Sequence, residues 1–98
     1  MATYITSIKF TVQGLQAIGE TTKRAATFKA SAKKMGVKVS SLYWTLGCHD
    51  GVFVLEAPDD ETATAAVLKL AALGNVQTTT VRAYDAAEMD KILAKMSG

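Results

Sequence analysis

The 98 residues suit one domain and leave no room for a second core. Hydrophobic residues make up 49% and charged residues 20%, the balance of a globular chain rather than a disordered one. A formal charge of +2 is too small to draw the chain to nucleic acid or an anionic membrane surface.

Residues 3–12 are rich in β-branched and aromatic types. Alternation puts Tyr4, Thr6, Ile8, Phe10 and Val12 on one side of a first strand, and Ile5, Ser7 and Lys9 on the other. From Gly14 the period changes. Leu15, Ile18, Thr22, Ala25, Phe28, Ala32 and Met35 recur every three or four residues, which predicts an amphipathic helix. Gly19 is placed to interrupt its first turns, and Gly36 to end it in a left-handed conformation. Five basic side chains (Lys23, Arg24, Lys29, Lys33 and Lys34) lie mostly off that stripe. A solvated helix face accounts for them, and recruitment of an acidic partner is the sharper alternative.

Residues 37–46 predict a second strand, with Val39 and Tyr43 pointing one way and Leu42, Trp44 and Leu46 the other. The short segment GCHDG then leads into VFVLEA, so the pair reads as a hairpin. Both faces of this hairpin are substantially apolar. Helices on one face and a second copy of the chain on the other would cover them, so a homodimer is expected. Pro58, Asp59 and Asp60 mark the start of a second helix carrying Ala63, Val67, Leu70 and Ala71 on one stripe. Leu68 and Leu73 lie off it, and Gly74–Asn75 stop it. Residues 76–84 predict a threonine-rich fourth strand. Asp85 and Glu88 then form a capping-box pair ahead of a short terminal helix with Met89, Ile92, Leu93 and Met96.

The order βαββαβ plus a terminal helix predicts one α+β domain over residues 1–98. Its form is ferredoxin-like, with an antiparallel four-stranded sheet. The segment YWTLGCHDGVFVLEAPDDETA, together with YITSIKFT and LGNVQTTTVRAY, resembles the GYD-domain family of the dimeric α/β-barrel superfamily. The signature glycine and aspartate correspond to Gly47 and Asp50, with Cys48 between them and His49 in place of the tyrosine. The resemblance implies a dimer whose sheets face each other around a cavity. That superfamily includes cofactor-independent oxygenases, isomerases and lyases as well as binding proteins, so both kinds of function stay open.

Several side chains are candidates for chemistry. His49 beside Asp50 could move a proton on an enolisable substrate, because imidazole changes charge near neutral pH. The plainer reading is a turn tip, since neighbouring residues need not point the same way. Cys48 has no identifiable third group to orient it as a nucleophile, and a closed metal site lacks a second Cys or His. Tyr4, Lys9, Tyr43 and Arg82 are candidates for holding a small organic ligand, with core or interface packing as the alternative. Trp44 alternates with Leu42 and Leu46 and is expected to pack.

No cofactor, metal or nucleic acid is expected. The third strand, GVFVLEA, lacks the basic residue and spaced aromatics of an RNA platform. No apolar stretch approaches the roughly 20 residues that cross a bilayer. MATYITSIKF lacks the regions of a signal peptide, and Cys48 has no disulfide partner. A cytoplasmic location is therefore expected. The function expected is a homo-oligomer that binds a small organic molecule between facing sheets, with a cofactor-independent enzyme using His49 and Asp50 as the alternative.

Overall fold

In the computed structural model, which describes residues 1–97, the β-branched opening segment forms β1 (Ala2–Phe10). It runs down the middle of one antiparallel sheet of order β2-β3-β1-β4. The other strands are β2 (Lys38–Trp44), β3 (Gly51–Ala57) and β4 (Val76–Ala83). Both helical connections fall on one side. There α2 (Thr21–Lys34) buries Phe28 and Ala32, and α3 (Asp60–Ala71) buries Ala63, Ala66 and Val67. These meet Tyr4, Phe53 and Leu55 from the sheet in one core, where the Phe28 and Phe53 rings tilt against each other at 4.9 Å. The fold is the predicted α+β, ferredoxin-like arrangement.

The alternation of β3 follows directly from this layering. Gly51, Phe53, Leu55 and Ala57 are buried beneath the helices, while Val52, Val54 and Glu56 point to the other face. No helix of the described residues buries a side chain against that second face.

Four local expectations need correction. Val12 does not continue β1; it starts a short helix, α1 (Val12–Gln16), and is largely exposed. Thr11 turns the chain by capping that helix through its side chain, which accepts the Gly14 amide. Leu15 and Ile18 do not join the helical stripe: the helix breaks at the expected Gly19, with α1 followed by a 3₁₀ turn (Ile18–Glu20) and only then by α2, so both side chains stay exposed. Val39 shares a face with Leu42, because the β2–β3 register shifts between Val39 and Ser41. Val39 then pairs with Leu55 and Leu42 with Phe53, both over the core. A bulge adds one residue and so reverses the alternation for everything beyond it. Finally, β2 ends at Trp44, and Leu46 stands fully exposed in the loop.

Gly36 ends the helical segment with φ 81°, and Gly74 turns the chain into β4 with φ 85°. The last helix, α4 (Ala86–Met96), begins with the predicted capping box: the Asp85 side chain accepts the Glu88 amide, and the Glu88 side chain accepts the Asp85 amide. None of its residues is buried, and Met89, Leu93 and Met96 are exposed. The radius of gyration is 14.9 Å, against about 13 Å for a compact chain of this size. The excess fits a terminal helix that projects from the body.

Candidate functional site

The register of β1 separates the four candidate ligand residues into two groups. Tyr4 pairs with Leu55 and Arg82, and lies on the helix side. Lys9 pairs with Gln77 on the opposite face, where Tyr43 also lies, beside Val52. Lys9 and Tyr43 are two strands apart and two residues out of register, about 12 Å at ordinary strand spacings. The sheet itself therefore separates Tyr4 and Arg82 from Lys9 and Tyr43 within one chain.

Tyr4 and Arg82 belong to a tie between elements. The Tyr4 hydroxyl donates to Asp60 Oδ1 at 2.5 Å, joining β1 to the start of α3. The Arg82 guanidinium lies 5.6 Å from the Tyr4 ring centre and 4.7 Å from that of Tyr84. It also pairs with Glu88 at 2.9 Å and donates to the Thr3 and Ala83 carbonyls. That set anchors α4 to the sheet edge. Hydrogen bonds from Arg82 and from the Asp85 amide, with the Arg82 charge behind them, hold the Glu88 carboxyl below its usual range, and the bond to Glu88 raises Arg82 in turn. Asp59, beside them, is lowered by capping the Thr62 amide.

Asp60 has the larger effect on Tyr4. By accepting the phenol proton it favours the protonated form, and Tyr4 is pushed up to about 12. A raised pKa means that the folded state holds the proton more tightly. The resulting stabilisation is complete below the ordinary tyrosine value of about 10 and is lost as the pH rises toward 12. Phenolate absorbance in an alkaline titration should thus contain a component that rises only near pH 12. Tyr4→Phe should remove that component, and its survival there would assign it to another tyrosine.

His49 and Asp50 sit in the β2–β3 loop, yet their side chains do different things. Asp50 Oδ2 accepts the Phe10 amide at 2.8 Å, while the Asp50 amide donates to the Ile8 carbonyl at 2.8 Å. Asp50 therefore fastens the hairpin loop to the end of β1. His49 is exposed; its Nδ1 lies 3.3 Å from Cys48 Sγ, and its carbonyl accepts the Thr45 hydroxyl at 2.7 Å. Among the described residues no hydrogen bond joins the imidazole to the Asp50 carboxylate. Gly47 takes φ 133°, a conformation that side chains disfavour. The two signature positions that match, Gly47 and Asp50, are thus the ones that shape and pin the loop. Among the described residues no group of three or more His, Cys, Asp or Glu side chains is placed to hold a metal ion.

The GYD-domain family profile matches residues 4–93, nearly the whole fold. This chain belongs to the GYD-domain family. A relative from Thermus thermophilus is 32% identical over 90 residues, covering 91% of this chain and 95% of its own. It is named glutamine synthetase and cystathionine beta-lyase binding protein. Among solved structures, TTHA0845 from the same species superposes with a TM-score of 0.58 at 20% identity, over 88% of this chain and 96% of that one. MtbAldR gives 0.61 at 17% identity, over 86% of this chain and 52% of that one. These two likenesses show the shared fold.

The sequence reading of this GYD domain missed Asp60 as the partner of Tyr4, because the two are 56 residues apart and Asp60 looked only like a helix start. It also placed Trp44 in packing. The indole is partly exposed, and its Nε1 donates to Thr21 Oγ1 at 3.0 Å, bridging β2 to α2.

Proposed function

We propose that this GYD domain is a non-enzymatic binding module that works as a homodimer, pairing through the open faces of its two sheets, and that it engages other proteins. The observation that carries this reading is the uncovered strip Val54–Ile5–Val81, which runs straight across three neighbouring strands with Val52 and Tyr43 beside it. Val81 is 54% and Tyr43 65% exposed, on the two outer strands of the sheet. Burying such surface contributes about 25 cal/mol per Å², set against the entropy lost on association, so a second sheet laid on it would add to the stability of a pair. The exposed apolar side of α4 adds further surface of the same kind. A protein target is favoured by the name of the 32% identical relative, which binds two enzymes.

Facing sheets would also leave room between them for a small organic molecule, with Lys9 and Tyr43 of each chain on the walls. That second reading rests on their shared face. Catalysis by His49 and Asp50 is the weaker alternative, because Asp50 is engaged with the Phe10 amide.

Native mass spectrometry at micromolar concentration tests the pairing. A dimer is expected, and a folded monomer would remove the shared face. Extra mass released on denaturation would favour the small-molecule reading. Binding to purified glutamine synthetase and cystathionine beta-lyase, measured by interferometry, tests the protein target, and silence with both enzymes would retire it. His49→Ala touches only an exposed tip, so it should leave dimer and partner binding unchanged. A rate lost in that variant, with binding kept, would restore the enzymatic alternative.

A further inference from the structure

The helix side of the sheet holds a cavity of about 460 Å³ between α2 and α3, within the range of sites for small organic molecules. Its floor is Ile8, Leu42 and Phe53, and Phe28 and Leu70 face it from the two helices. Small side chains line both walls: Ala25 on α2, above the buried Ala32, and the buried Ala66 on α3. Larger residues there would fill it to core density. The sheet lies between this cavity and the Val54–Ile5–Val81 strip proposed for pairing, and the two meet only at the β2–β3 edge, where Tyr43 and Val52 border the cavity.

The charge around the cavity has one sign. Arg24 lines it from α2 and Lys69 from α3, and no aspartate or glutamate is among its lining residues. Arg24 is held in place by nearby backbone: Nη1 donates to the Ala17 carbonyl at 2.7 Å and Nη2 to the Gly14 carbonyl at 3.3 Å. A guanidinium has five N–H groups, so donors remain for an anion. Lys69 is exposed and makes no ion pair among the described residues. An apolar chamber with two cations on facing walls and no carboxylate suits a ligand with an apolar body and one anionic end.

We propose that the α2–α3 cleft binds an apolar monocarboxylate. Its hydrocarbon or aromatic body lies along the part-exposed apolar lining of Ile8, Met35, Leu42 and Leu70, and its carboxylate is held between Arg24 and Lys69. The charge-assisted contacts select the acid over a neutral molecule of the same length.

The single tryptophan, Trp44, lines the cleft and reports its occupancy. The wild-type protein is titrated with decanoate, kept below its micelle-forming concentration, and separately with decanol. Tryptophan emission and calorimetry are followed together. Saturable binding of one decanoate per chain is expected, with decanol at least about tenfold weaker. Lys69→Gln, an exposed and structurally mild change, should weaken decanoate about tenfold and leave decanol unchanged, and Arg24→Gln should do the same. Ala25→Phe, at a part-exposed lining position, should block both ligands. Decanoate should still bind to Ile5→Glu, whose change lies on the opposite face, so a failure of sheet pairing would not imitate a failure here. Equal affinity for acid and alcohol, no saturable response to decanoate, or an acid-to-alcohol ratio untouched in both charge variants would each overturn the proposal.

Discussion

Gly14→Ala should destabilise the fold by about 3 kcal/mol, whereas Gly19→Ala, five residues on, should be neutral or slightly stabilising. A Cβ on Gly14 would lie 2.1 Å from the Asn75 carbonyl oxygen, and backbone cannot swing aside as a long side chain can. The approach is tight because Thr11 and Asn75 are bonded across it. The Thr11 amide donates to the Asn75 carbonyl at 3.1 Å, and the Thr11 hydroxyl donates to the Gly74 carbonyl at 2.6 Å. Relieving the clash means opening the junction where β1 leaves the sheet and β4 enters it, with Phe10 opposite Val76. Gly19 has nothing within 4 Å of its added Cβ and no positive φ, so alanine there only narrows the unfolded ensemble. For a chain of this size the first change should lower the Tm by roughly 15 °C. Equal melting temperatures for the two variants would show that the junction relaxes freely.

Under the proposed sheet-to-sheet pairing, Ile5→Glu should leave the fold intact and weaken association on the order of 100-fold. Ile5 is the middle of the apolar strip, between Val54 and Val81, and is already 37% exposed in the single chain. The monomer can therefore solvate a glutamate at that position. In a sheet-to-sheet dimer each copy would bring one charge into a dry centre. Ile5→Ala removes apolar area without adding charge, and should weaken association only about tenfold. Sedimentation equilibrium of the three proteins, with far-ultraviolet circular dichroism as a check on folding, reads both effects. Unchanged association in Ile5→Glu would place any dimer contact elsewhere, with the exposed side of α4 the next surface to test.

Local patterns in the chain were enough to place most elements. The strand of β1, the capping box at Asp85 and Glu88, and the stops at Gly36 and Gly74 each depend on a few neighbouring residues. The family resemblance carried by YWTLGCHDG and its flanks was equally legible, and the family match over residues 4–93 agrees with it. Patterns failed where an alternation crossed an irregularity. Nothing in KVSSLYW announces that one serine is extra, so alternation puts Val39 on the wrong face, and only its pairing with Leu55 corrects this. Leu15 and Ile18 fit a helical stripe, but Leu15 lies ahead of the 3₁₀ turn that breaks the helix and Ile18 lies within it.

The candidate site was legible as residue types and not as an arrangement. His49 and Asp50 are adjacent in sequence, yet one reaches solvent and the other turns inward to the Phe10 amide. Tyr4, Lys9, Tyr43 and Arg82 are all polar-tipped residues on strands, and only the register divides them between the two faces. Periodicity and capping act within a few residues, so the amino-acid sequence by itself determined the elements, their order and the family. Which faces meet depends on contacts between residues far apart in the chain, such as Tyr4 with Asp60 and Gly14 with Asn75. Those contacts, and with them the open sheet face and the cleft between α2 and α3, were decided only by the tertiary structure, because burial and register are properties of the packed chain.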